Sequence, residues 1–154
     1  MLDRKLSKQH TLLVVDDDSI GREALRRGLE RRGFAVIETA NGYHALELLG
    51  SMQFDLILLD VEMPGIDGLE VLRVIRTIYA VTDLPVIMTT AKGESEDIVR
   101  ALQLGANDYI TKPLEIGVVA ARVETQISLG RTAHLIAIFQ AQLQDCLQHF
   151  FLVQ

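Results

Sequence analysis

The residues able to do chemistry stand in one recurring place, directly after a short apolar run. LLVV at 12 to 15 leads into Asp16 and Asp17, and LILL at 56 to 59 leads into Asp60. PVIM at 85 to 88 leads into Thr89 and Thr90, and DYIT at 108 to 111 leads into Lys112. Were the three carboxylates to share one crevice, they would repel one another and raise at least one pKa unless a cation held them ionised. An all-oxygen, partly hydrated ligand set suits Mg2+ better than zinc or iron, because Mg2+ keeps several waters and takes few protein carboxylates. A metal, a hydroxyl and an ammonium around a further carboxylate make a site for a phosphoryl group. Phosphoryl transfer needs mainly positioning and charge neutralisation, and these groups supply both.

The elements that must bring these residues together can be read from hydrophobic period. The four runs above and FAVI at 34 to 37 read as strands, and stretches with helical spacing lie between them. The first helix offers Ile20, Ala24, Leu25, Gly28 and Leu29 as an apolar stripe, with Gly33 suited to its C′ position. Its arginines at 22, 26, 27, 31 and 32 read most simply as a solvated face, with a docking surface for an acidic partner as the alternative. Asn41 is the candidate N-cap of a second helix over 42 to 49, with Ala45, Leu48 and Leu49 apolar. A third helix over 68 to 79 carries Leu69, Leu72, Val74 and Ile75, and a fourth over 94 to 104 stops at Gly105.

Strands alternating with helices predict an α/β fold, and the uninterrupted apolar centre of DLILLD suits a strand covered on both faces. Right-handed crossovers favour a doubly wound five-stranded parallel sheet of order 2-1-3-4-5, with an extended C-terminal helix. That order sets strands 1 and 3 side by side, and ligands in such sheets bind at the carboxyl ends where the order reverses. Asp16, Asp17 and Asp60 stand at those ends.

The bulk numbers narrow the function class. The chain has 154 residues, 49% of them hydrophobic, which is enough for one real core plus an appendage. A net charge of -6 argues against a general nucleic-acid binder, and direct nucleic-acid contact is not expected. Cys146 is the only cysteine, so no internal disulfide can form. The opening MLDRKLSKQH lacks the apolar centre of a signal peptide, and no run is long enough to span a membrane. These features lead us to expect a cytoplasmic protein without membrane contact.

LLVVDDDS, DLILLDVEMPGIDG, PVIMTTA and YITKPLE, in this order and spacing, resemble the receiver domain of bacterial two-component response regulators. The resemblance covers about 11 to 128, leaving residues 1 to 10 as a flexible tail and 129 to 154 as a helical extension. It implies that Asp60 accepts a phosphoryl group from the phosphohistidine of a histidine kinase or histidine phosphotransfer protein. Asp17 and Asp60 would bind Mg2+ directly, Asp16 through water, and the backbone carbonyl of Glu62 would complete the protein ligands. Thr90 and Lys112 would contact phosphoryl oxygens, and Tyr109 occupies the aromatic position coupled to that hydroxyl. A domain of this kind is not an enzyme in the ordinary sense, because it promotes only its own phosphorylation and dephosphorylation. The Lys112-Pro113 bond is expected to be cis.

Some neighbours have plainer roles. Asp18 or Ser19 should cap the first helix, and Thr89 should be a strand residue pointing away from Thr90. Glu62 and Lys92, two residues beyond the acceptor and the hydroxyl, could pair across the crevice and slow the loss of the phosphoryl group. Two solvated side chains that never meet are the alternative there.

Helical character continues to the terminus. Alternate steps of three and four residues pick out Leu129, Thr132, Ile136, Phe139, Leu143, Cys146, Phe150 and Val153, a heptad seam expected to mediate a homodimer. A helix folded back on its own domain, or a linker to an output domain downstream, are the alternatives. Two other function classes stay in view. One is a phosphatase of the haloacid dehalogenase type using Asp16 and Asp18, although that family expects Thr where Ile20 stands. The other is a dimerisation module independent of phosphorylation.

Overall fold

The computed structural model describes residues 8–91 and 95–152. The strands β1 (Thr11–Val15), β2 (Ala35–Thr39), β3 (Leu56–Asp60), β4 (Val86–Thr90) and β5 (Asp108–Thr111) pair in parallel in the expected order, β2-β1-β3-β4-β5. Between and after them run α1 (Ser19–Glu30), α2 (Gly42–Ser51), α3 (Gly68–Ile78), α4 (Ser95–Leu104) and α5 (Ile116–Leu152). Lys92 and Val153, named above, and position 94, where the fourth helix is expected to begin, lie outside the described residues, as does most of the N-terminal tail.

Side chains along β1 alternate between two cores, as the two-residue period of a strand requires. Leu13 and Val15 pack with Ile57, Leu59, Leu72 and Ile75 beneath α2, α3 and α4. Leu12 and Val14 pack with Leu25, Leu29, Leu58 and Val123 beneath α1 and α5. Every residue of β3 and β4 is buried, which accounts for their lack of polar alternation. Each fully buried aliphatic side chain stabilises the fold by about 1.5–3 kcal/mol. Exposed helix pairs such as Arg27–Glu23 contribute roughly 0.3–0.5 kcal/mol, so the two cores dominate.

The helix ends are set locally. Asp18, rather than Ser19, caps α1 by accepting from the N–H groups of Ile20 and Gly21, and Asn41 caps α2 by accepting from His44. α1 closes with Gly33 N–H donating to Glu30 O and Phe34 N–H to Leu29 O, the paired bonds of a Schellman motif. Gly33 has φ 92°, a left-handed conformation that favours glycine. The Lys112-Pro113 bond is cis, as expected.

Two readings of α1 need correction. Ile20 is 80% exposed and Ala24 is also exposed, because the first turn lies past the end of β1 and only Leu25 and Leu29 reach the core. The arginines are not uniformly solvated either. Arg22 is mostly covered and Arg26 half-buried, both beside Glu38 of β2.

Arg76 of α3 was legible only as a charge on a helix, yet it joins three segments. Its guanidinium donates to Gly105 O at 2.8 Å, Leu84 O at 2.8 Å and Asn107 Oδ1 at 2.8 Å. Asn107 in turn accepts from Val86 N–H and donates to Val81 O, pinning the start of β4. Arg76→Ala would strand several part-buried acceptors, and we expect it to lower stability by roughly 3 kcal/mol in urea unfolding.

α5 is one helix of 37 residues. Val119, Ala120, Val123 and Ile127 are buried against the domain, whereas Leu129, Ile136, Phe139, Leu143, Phe150 and Phe151 are exposed. The fold-back alternative therefore fails among the described residues: neither Gly117 nor Gly130 interrupts the helix, and no turn up to Leu152 lets the chain reverse. The boundary expected at 128 falls inside this helix. No helix among the described residues is long and apolar enough to cross a membrane.

Candidate functional site

The strands deliver their polar residues by extending their ladders one step past the apolar runs. Asp16 N–H donates to Thr39 O at 3.1 Å, Val61 N–H to Thr89 O at 3.0 Å, and Lys112 N–H to Thr90 O at 2.7 Å. In the register, Val15 pairs with Leu59 and Asp60 with Thr89, so the acids after β1 and at the end of β3 arrive at one level. The start of α3 crosses directly over Asp60. A Cβ built on Gly68 would lie 1.9 Å from Asp60 O, so only glycine permits this approach.

Carboxylate oxygens of Asp16, Asp17 and Asp60 all lie within 4.8 Å of one another. Asp16 and Asp60 are buried and Asp17 is exposed. Lys112 Nζ sits 3.0 Å from Asp60 Oδ2 and 3.2 Å from Asp16 Oδ2. Glu62 N–H donates to Asp60 Oδ1 at 3.3 Å, and Asp18 N–H donates to Asp16 Oδ1 at 2.9 Å.

Burial pushes the Asp60 carboxyl up to about 6, with the Asp16 charge adding to the rise and Lys112 and the Glu62 N–H opposing it. Burial pulls the Lys112 ammonium down, but its bonds and charge interactions with Asp60 and Asp16 outweigh this and hold it above its usual range. One ammonium cannot neutralise three carboxylates. The surplus negative charge and all-oxygen donor set fit a hard divalent cation such as Mg2+.

The other expected site residues are placed less closely. Thr90 is buried at the end of β4, and its hydroxyl makes one long contact, 3.5 Å to Ala91 O. Tyr109 is exposed on β5. Glu62 is exposed and lines a cleft of roughly 560 Å3 together with Asp17, Asp60, Lys112, Asp97 and Arg100. Asp97 and Arg100 were missed in the sequence. Their i,i+3 spacing on the fourth helix was the available signal, but nothing local told which way that face pointed.

The family model described as the response regulator receiver domain matches residues 12–124. The chain belongs to this family. Over 118 residues it is 42% identical to the transcriptional regulatory protein CseB of Streptomyces avermitilis, covering 77% of this chain and 49% of that protein. Over 130 residues it is 43% identical to the transcriptional regulatory protein ResD of Bacillus subtilis, covering 84% of this chain and 52% of that one. The chain thus spans about half the length of the curated relatives it matches. Among solved structures, the receiver domain of the Francisella response regulator 1452 superposes with a TM-score of 0.72 at 29% identity, covering 78% of this chain and 98% of that one. A receiver domain protein of Methanospirillum hungatei superposes at 0.77 with 25% identity, covering 82% and 99%. The receiver of a two-component system is therefore both the sequence family and the fold.

Proposed function

We propose that this receiver is a phosphoacceptor switch and that Asp60 takes the phosphoryl group. The observation that carries this reading is the buried Asp60 carboxylate, bonded to Lys112 and within 4.8 Å of two further carboxylates, in a cleft open to solvent. Asp17, Asp60 and the Glu62 carbonyl would hold Mg2+ directly, with Asp16 holding it through water. The ion, when bound, would supply positive charge to offset that of the phosphoryl group. An Asp60 oxygen attacks phosphorus, the N–P bond of the donor's phosphohistidine breaks, and the imidazole departs with the electron pair. Lys112 turns from the carboxylates to one phosphoryl oxygen, and the Thr90 hydroxyl donates to another. With its pKa near 6, Asp60 is mainly ionised at neutral pH and so remains a nucleophile.

The donor would be a histidine kinase or a histidine phosphotransfer protein. A groove between α1 and the turn after β5, lined by Leu25, Pro113 and Ile116 together with Arg27 and Arg31, offers an acidic helix a seat beside the site. Phosphorylation then biases Thr90, Tyr109, α4 and α5, and the exposed end of α5 carries the change to a second copy or to an output domain. The phosphatase alternative is weakened by Asp18, whose carboxylate is engaged in capping α1.

Incubation with Mg2+ and acetyl phosphate tests the acceptor. Intact mass is expected to show one phosphoryl adduct on the wild type and none on Asp60→Asn. An adduct that survives the substitution would move the acceptor elsewhere.

A further inference from the structure

Asp17 is the least supported member of the acidic cluster. It is exposed, and its carboxylate has no hydrogen-bond or ion-pair partner among the described residues. Its place is therefore inherited from the backbone, through the peptide that joins it to Asp16. The oxygen of that peptide is Asp16 O, and it accepts a 2.7 Å hydrogen bond from Arg22 Nη1, six residues on in α1.

The environment of Arg22 makes this bond informative. Its side chain is only 16% exposed, and its Nε lies 3.9 Å from Glu38 Oε2, too far for a hydrogen bond. Both of those atoms are buried without a hydrogen-bond partner, although a guanidinium and a carboxylate this close could form a two-pronged pair. The fork instead directs its short bond to a neutral carbonyl. Glu38, which also lies 3.5 Å from Arg26 Nε, neutralises the fork from behind without capturing it.

We propose that Arg22 is a positioning residue for the metal site, fixing Asp17 through the Asp16–Asp17 peptide, with Glu38 holding the guanidinium in place. This rests on the reading of Asp16, Asp17 and Asp60 as a Mg2+ site. A partner that orients a ligand from behind commonly carries about a tenfold or larger share of metal affinity.

Charge and position predict opposite signs here. Arg22 is a cation close to a cation site, so a purely electrostatic role means that its removal tightens Mg2+ binding. A strut means that its removal loosens it.

Calorimetric titration of the full chain with MgCl2 separates the two. Arg22→Met is expected to weaken Mg2+ binding about tenfold, and Arg22→Lys, which keeps the charge but loses the fork, is expected to fall between it and the wild type. Glu38→Gln should weaken binding to a smaller extent. Unchanged or tighter binding in Arg22→Met overturns the proposal. If that variant does not fold, as judged by circular dichroism, Arg22→Lys decides, since an affinity equal to wild type there overturns it too. A wild type that binds no Mg2+ would sink the reading of the site itself and the strut with it, whereas a wild type that binds with an indifferent Arg22 sinks the strut alone.

Discussion

Stripped of Mg2+ at pH 8, Asp60→Asn is expected to be more stable than the wild type by roughly 2–3 kcal/mol. Asp60 has its folded pKa raised from 3.8 to about 6, chiefly by burial, so between those values the native state binds more protons than the unfolded chain. Stability therefore falls as pH rises through this window, and above it the folded protein carries a charge that water would solvate better. Asparagine removes that charge and can still accept from Lys112. The advantage should shrink toward zero near pH 4, where the wild-type carboxyl is protonated in the fold. Mg2+ should reverse the ranking, because an ion bound only by the folded wild type stabilises it by mass action while the variant has lost a ligand. Urea unfolding at pH 4, 6 and 8, with chelator and then with Mg2+, checks all three limbs. A variant less stable than wild type at pH 8 in chelator would show that Lys112 already neutralises the cluster by itself.

The same tension explains what could be read in the chain. Asp16, Asp17, Asp60 and Lys112 were legible because each follows a strand whose apolar run announces itself, and strand order then forces the ends together. Asp18, Asn41 and Gly33 were legible because caps act within a few residues. Arg22, Arg76 and Arg100 were not. Each is an arginine on an amphipathic helix, and its role depends on a partner that no local pattern marks: a strand-end carbonyl, the turns around Asn107, or the far wall of a cleft. Ile20 failed in the opposite direction, because helical period fixes a face but not where the sheet beneath it ends.

α5 beyond Leu129 is expected to pair with a second copy, and Ile136→Glu combined with Phe139→Glu is expected to return the chain to a monomer. From 129 to 152 only Arg131 and Asp145 carry full charges, whereas a helix meant for water is normally laced with them. Leu129, Ile136, Phe139, Leu143 and Phe150 all lie exposed along one seam, and each would contribute on the order of 1–2 kcal/mol if covered. A seam of a and d positions is self-complementary, so an identical helix covers it without any further partner. Two carboxylates at adjacent seam positions would have to be buried unpaired, which costs more than the remaining contacts return. Light scattering on the full chain reads the result directly, and a wild type that is already monomeric at micromolar concentration would sink the dimer. Cys146, exposed on the same seam, reports orientation. Parallel, in-register helices place the two thiols together, so mild oxidation links the pair covalently, while antiparallel helices keep them apart and leave the dimer separable in denaturant.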